Sequence, residues 1–283
     1  MRQELIALYD DFTHSRITRR DFLDRLTVLA GGAAAASAVI AQLAPNYALA
    51  AIVPAGDPRI AVERVKIAEG PDGYLARPAE TSGPLPGLVV VHENRGLNPH
   101  IEDVARRAAL EGFVALAPDF LTAAGGTPSD PEKAREMIGA LPAEEAVADA
   151  RRAVAWLAQQ KGVNGKVGIV GFCWGGGIVG QVAVSEPELD AGVVFYGRTP
   201  PADEVGNIKA PLLLHYAGLD ERINAGVPAF REALDRAGVR YELHMYEGAN
   251  HAFHNDSSEA RYSAEAAKLA WSRTIEFLKR ELG

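Results

Sequence analysis

Four residue types in this chain sit where they could carry out acyl chemistry: Cys173, Asp220, His251 and Glu93. Cys173 is the only cysteine, in the run Gly171-Phe172-Cys173-Trp174-Gly175-Gly176. An apolar run, Lys166-Val167-Gly168-Ile169-Val170, precedes it and reads as a buried strand. Gly177-Ile178-Val179-Gly180 follows and reads as the start of a helix. A G-x-nucleophile-x-G turn between strand and helix exposes the central side chain above the sheet edge, and its crowding demands glycine on either side. The helix N-terminus behind it carries partial positive charge, which favours thiolate.

A cysteine nucleophile needs a base within hydrogen-bond reach and a carboxylate that fixes the base's tautomer. Pro211–Tyr216 reads as a strand running into Ala217-Gly218-Leu219-Asp220. Tyr241–Tyr246 reads as another, running into Glu247-Gly248-Ala249-Asn250-His251. Nucleophile, acid and base thus fall in chain order at three strand ends, where sites lie in open α/β sheets. His254 competes for the base role, but Gly248-Ala249-Asn250-His251-Ala252-Phe253 favours His251. His92, His215 and His244 lie in or at the ends of predicted strands and read as packing residues or as supports behind the site. The oxyanion donors are expected to be the backbone N–H of Trp174, after the nucleophile, and of Asn94, after the Leu88–Val91 strand.

The elements that must hold these residues alternate strand and helix. Val62–Ile67 and Tyr74–Arg77, around Pro71-Asp72-Gly73, predict an N-terminal β-hairpin at the sheet edge. Leu88–His92, Phe113–Ala117, the strand before Cys173, Ala191–Tyr196, Pro211–Tyr216 and Tyr241–Tyr246 predict a doubly wound, mostly parallel sheet. Helices are expected at Pro99–Glu111 behind Asn98, at Glu144–Gln160, after Cys173, between Asp220 and Tyr241, and from about Ser263. Residues 121–143 are rich in Gly, Pro, Thr and Ser and read as a loop over the site.

Residues 1–50 read as an export signal: Thr18-Arg19-Arg20-Asp21-Phe22-Leu23 is similar to a bacterial twin-arginine signal. An Ala/Gly-rich stretch follows from Leu26 to Ala44, then Ala48-Leu49-Ala50 as a cleavage site. This implies a periplasmic protein, with residues 51–283 as a single domain and no stable membrane association once the signal is gone. An N-terminal amphipathic helix or an uncleaved anchor is the alternative; Gly31, Gly32 and Ser37 make the stretch a poor membrane span. A net charge of −8 without a basic stripe argues against nucleic acid as a partner. One cysteine excludes an intramolecular disulfide.

Taken together, His92-Glu93-Asn94-Arg95-Gly96, the Cys173 turn, Gly218-Leu219-Asp220 and Gly248–Phe253 resemble the dienelactone hydrolase (carboxymethylenebutenolidase) family. The resemblance spans about residues 60–282. It implies an α/β-hydrolase fold, a Cys-His-Asp triad, an acyl-enzyme, and no metal or cofactor. It implies that Glu93 contacts the resting cysteine and helps ionise it. A carboxylate beside a thiol by itself disfavours thiolate, so Glu93 would act as a switchable base. The family holds a substrate carboxylate with arginines, one of them four residues past the catalytic histidine. Asn255 stands there in this chain, and Arg95, Arg198 and Arg222, near strand ends, are the candidate replacements, with His254 as a further substrate contact. The expected substrate is a small-molecule ester or lactone. A different acyl substrate, such as a thioester or an ester-linked carbohydrate, is the second reading, and a non-catalytic binding protein on the same scaffold is the third.

Overall fold

The computed structural model describes residues 1–47 and 51–283. Three N-terminal helices come first: α1 (Gln3–Thr13), α2 (Arg19–Ala30) and α3 (Ala33–Leu43). The domain then runs β1 (Ile60–Val65), β2 (Gly73–Pro78), β3 (Leu85–Val91), α4 (Pro99–Leu110), β4 (Val114–Pro118), α5 (Pro131–Ala140), α6 (Ala143–Ala158) and β5 (Val163–Phe172). It continues α7 (Trp174–Ser185), β6 (Ala191–Phe195), β7 (Leu212–Ala217), α8 (Glu221–Asn224), α9 (Val227–Ala237), β8 (Tyr241–Tyr246) and α10 (Ala264–Leu282).

The eight strands form one sheet in the order β1-β2-β4-β3-β5-β6-β7-β8. β1 pairs β2 and β2 pairs β4 antiparallel, and every other neighbouring pair is parallel. The expected edge hairpin is therefore present, although its first strand starts at Ile60 rather than Val62. Four of the six β1 residues face solvent, so the alternation that locates a strand is weak there. The strands β6 and β7 are buried along their whole length, as continuous apolar runs between two helical layers must be.

Two apolar clusters fill the spaces on either side of the sheet. One packs α4 and α10 through Ile101, Val104, Ile275 and Leu278. The other packs α6, α7 and α9 through Ala150, Leu157, Val179, Phe230 and Leu234. Asn98 caps α4 as expected, its side chain accepting from the N–H groups of His100 and Ile101.

Residues 121–143 are more ordered than their composition suggests. Asp130 caps α5, Pro131 opens it, and Ala134 and Ile138 point inward. Two apolar anchors in ten residues are too few to register as a periodic pattern.

The N-terminal segment folds as well. Thr18 and Asp21 form a reciprocal capping box at the start of α2, inside the twin-arginine-like run. Leu5, Ile6, Leu8, Tyr9, Phe12, Phe22, Leu26, Ala36 and Leu43 bury one another in a third cluster. Among the described residues no single helix is long and apolar enough to cross a membrane, and α2 and α3 meet at a bend of 111°. The expected cleavage site at Ala48–Ala50 lies outside the described residues.

Candidate active site

β5 delivers Cys173 at φ 54° and ψ −112°, a conformation that costs a non-glycine residue strain. The flanking glycines make the turn possible. A Cβ on Gly171 would lie 2.2 Å from the Gly175 carbonyl oxygen, and one on Gly175 would lie 2.5 Å from the His92 carbonyl oxygen. The helix begins directly after Cys173, at Trp174, three residues before the expected start. The Trp174 N–H therefore sits among the unpaired donors of the first helical turn.

Asp220 follows β7 and caps α8, its Oδ1 accepting from the Ile223 N–H. Its Oδ2 lies 2.5 Å from His251 Nδ1. That contact fixes the Nδ1–H tautomer and leaves His251 Nε2, buried and without a hydrogen-bond partner, available for the sulfur. Burial draws the His251 imidazole down, but the charges of Cys173 and Asp220 outweigh it and push the pKa up to about 10. For Asp220, burial works upward and is overcome by His251 and Arg222, so its carboxyl titrates below the usual range. Together these describe a buried acid–base pair poised to hold a proton on His251.

Thr13, His14, Glu93, Asn94, Arg95, Cys173, His251, Ala252 and Arg261 line the cavity at the elbow. Glu93 is in place, but its carboxylate is engaged elsewhere: Oε2 accepts from Asn255 Nδ2, and Oε1 accepts from the Tyr196 hydroxyl at 3.4 Å. Asn255, at the position where the resemblance implied an arginine, thus holds Glu93. Arg95 is buried and donates to the Tyr9 hydroxyl at 3.0 Å and to Glu132 of α5 at 3.1 Å. Arg222 Nη2 lies 3.2 Å from His14 Nε2 and 3.4 Å from His251 Nδ1.

Two candidates are not brought in. Arg198 is exposed and does not line the cavity, because the chain after β6 turns out across α7, passing beside Gly177 and Gly180. His254 is a core residue, its ring stacked on Phe172 at 5.0 Å and tilted against Trp271 at 5.6 Å. Burial, with Arg107 and His100 nearby, pushes its imidazole well below the ordinary histidine range, so it sits neutral in the apolar layer. His92 and His215 are core residues too, His92 stacked on Trp174 and His215 bonded to Tyr246 and Thr274.

Three residues beside the candidate site carry no signal in the sequence. Arg261 lies in a loop with no motif around it, yet it reaches the cavity and pairs with Asp10 at 3.1 Å. Tyr196, with φ 40°, carries its ring to 5.1 Å from His251. His14 belongs to a segment read as removable, and its Nε2 stands 3.3 Å from Cys173 Sγ.

An eight-stranded sheet with a strained cysteine elbow, and with Asp220 bonded to His251 at neighbouring strand ends, defines an α/β-hydrolase. A family model described as the dienelactone hydrolase family matches residues 72–282, and a second, described as YqhI-like, matches residues 1–31. A "Putative carboxymethylenebutenolidase" of Escherichia coli O157:H7 is 35% identical over 221 residues, which are 73% of this chain and 81% of that protein. A protein of Methylorubrum extorquens with the same description is 34% identical over 274 residues, 91% of this chain and 93% of that one. The crystal structure of a "Putative Dienelactone Hydrolase" from Klebsiella pneumoniae superposes with a TM-score of 0.71 at 32% identity, covering 78% of this chain and 98% of the other. The chain belongs to the dienelactone hydrolase family and is a hydrolase of esters or lactones.

Proposed function

We propose that the protein cleaves carboxylic esters or lactones through an acyl-cysteine intermediate, with Cys173 as nucleophile, His251 as proton carrier and Asp220 as its orienting carboxylate. The observation that carries this reading is the 2.5 Å contact between Asp220 Oδ2 and His251 Nδ1, with the bare Nε2 facing the cavity that Cys173 lines. With its pKa pushed up to about 10, His251 already holds the thiol proton at neutral pH, and the thiolate attacks the carbonyl. The oxyanion is met by the N–H groups of Trp174 and Asn94. The proton then passes to the leaving oxygen, and water, activated by the same histidine, releases the acid. Glu93, held by Asn255 and Tyr196, would reach Cys173 only after releasing one of those bonds, which fits a residue that acts when substrate enters. Arg95 and Arg261 would hold an anionic group on the substrate in place of the absent arginine at Asn255, with Arg222 beside the catalytic pair.

The test is turnover of aryl esters, enol-lactones, aliphatic lactones and thioesters by the full chain and by Cys173→Ala. Loss of all turnover in the variant is expected; ester hydrolysis at the wild-type rate would refute the assignment. Enol-lactone turnover would identify a dienelactone-type substrate, and turnover of thioesters alone would move the substrate class while keeping the mechanism.

Export by the twin-arginine route belongs to the same proposal. Arg19 and Arg20 are both exposed at the start of α2. Cell fractionation of the wild type and of an Arg19→Lys, Arg20→Lys double variant tests it. Retention of the variant in the cytoplasm is expected, and equal export of both would refute it.

A further inference from the structure

The nucleophile of this enzyme is not free. His14, at the C-terminal end of α1, stands with Nε2 3.3 Å from Cys173 Sγ and its ring edge-on to His251 at 4.7 Å between centroids. Its Nδ1 donates to the Asp10 carbonyl oxygen at 2.7 Å, so Nε2 is an acceptor, and Arg222 Nη2 stands 3.2 Å from it beside the sulfur. Cys173 Sγ thus faces His14 Nε2, which Arg222 also reaches, while His251 Nε2, the atom that catalysis uses, has no hydrogen-bond partner. With Thr13 and His14 in place the cavity measures about 10 Å³. That is the space of roughly one water molecule, not of an ester.

The same helix occupies the polar groups of the site. Asn94 Nδ2 donates to the Thr13 carbonyl at 2.9 Å, Arg95 donates to the Tyr9 hydroxyl, and Arg261 pairs with Asp10. The guanidinium of Arg261 also lies 5.2 Å over the Tyr9 ring, and that of Arg135 lies 4.8 Å over Phe12. These contacts are largely polar and cationic. The apolar cluster of the segment is its own: apart from Ala260, the residues that form or border it lie between 5 and 43. A unit with its own core, held to its neighbour by hydrogen bonds and ion pairs, can leave without exposing the neighbour's core. The segment is also matched by a family model separate from that of the domain.

We propose that residues 1–44 form a detachable plug that keeps the enzyme closed, with His14 facing the sulfur and taking the substrate's place. This rests on Cys173 being the nucleophile. Lifting α1 opens the cavity, frees Arg95, Arg261 and Asn94, and leaves the sulfur facing His251 alone.

The test uses the full chain, in which Cys173 is the only cysteine. Alkylation by iodoacetamide, in which sulfur displaces iodide from carbon, therefore reports Cys173 alone. It is measured beside kcat/KM on an aryl ester for three proteins: the wild type, Asp10→Arg, which sets like charges against Arg261, and a chain cut in place at a protease site inserted after Pro45. Circular dichroism and the unfolding midpoint confirm that each stays folded. Both rates should rise at least about tenfold in the charge reversal and in the cut chain, because the competent fraction sets the apparent rate. His14→Ala should raise both by less, since it opens space without lifting the helix. Alkylation that is unchanged or slower in the undocked proteins overturns the plug. Faster alkylation with no ester turnover by any of the proteins upholds the plug and refutes the hydrolase assignment instead.

Discussion

Two helical coverings lie against this sheet and its loops, and they are attached in different ways. The helices α4, α6, α7, α9 and α10 share continuous apolar clusters with the strands, so residues such as Leu213 and Val90 have no exposed surface at all. The helices α1, α2 and α3 bury an equally hidden residue, Leu26, but against one another. Their hold on the domain includes Asp10, Tyr9, Thr13 and His14, the residues nearest the cavity, with further bonds at Gln3, Ser15 and Leu43. A covering that shares the core is part of the fold. A covering with a core of its own, bonded through the functional groups of the site, is placed to regulate that site.

The largest effects should come from the site that both coverings surround. Cys173→Ala should abolish turnover, a loss on the order of 10⁴-fold or more in kcat, measured with any ester that the wild type hydrolyses. Asp220→Asn should keep the fold but present the wrong His251 tautomer, costing roughly 10³–10⁴-fold in kcat. A loss under tenfold would mean that the short Asp220–His251 contact does not orient the base.

A matched pair of core truncations then separates the coverings. Leu213→Ala should lower domain stability by about 2–5 kcal/mol in urea unfolding. Leu26→Ala should leave the main unfolding midpoint nearly unmoved while raising iodoacetamide alkylation of Cys173 severalfold. Equal shifts of the midpoint would show the segment and the domain to be one cooperative unit.

A smaller effect follows from ionic strength. The Asp10–Arg261 pair is only partly shielded from solvent on the acid's side, so salt should weaken docking and raise the alkylation rate about two- to threefold between 0.05 and 0.5 M. No change in rate would leave the helix held by shape rather than charge.

The smallest concerns pH and belongs to the domain alone. His251 is pushed up to about 10 against an ordinary value of 6.5, so the folded state binds this proton more tightly than the unfolded state. Its contribution to stability is full below about pH 6.5 and is lost as pH rises through about 10. Urea midpoints should therefore fall over that window. The fall should be shallower in Cys173→Ala, which removes the largest of the causes that raise the imidazole; an identical slope would assign the effect to other groups.

The sequence by itself determined the sheet, the elbow and the strand ends that carry Cys173, Asp220 and His251. Central strands buried on both faces must be continuous apolar runs, and a strained turn at Cys173 admits only glycine beside it, so each leaves a local signature. Asp220 and His251 were legible because strand ends converge on one edge of a parallel sheet. What only the tertiary structure decided is which side chains enter from elsewhere. Arg261 reaches the cavity, Tyr196 packs against His251, and Arg198 does neither, through backbone paths that no periodicity records. Asn255 bonds to Glu93 across 162 residues, a distance in sequence over which spacing carries no information. The same holds for His14. The composition of residues 1–50 reads as a segment to be discarded, because composition reports what a stretch can do alone. Only three-dimensional packing places its histidine 3.3 Å from the one cysteine of the chain, 159 residues away.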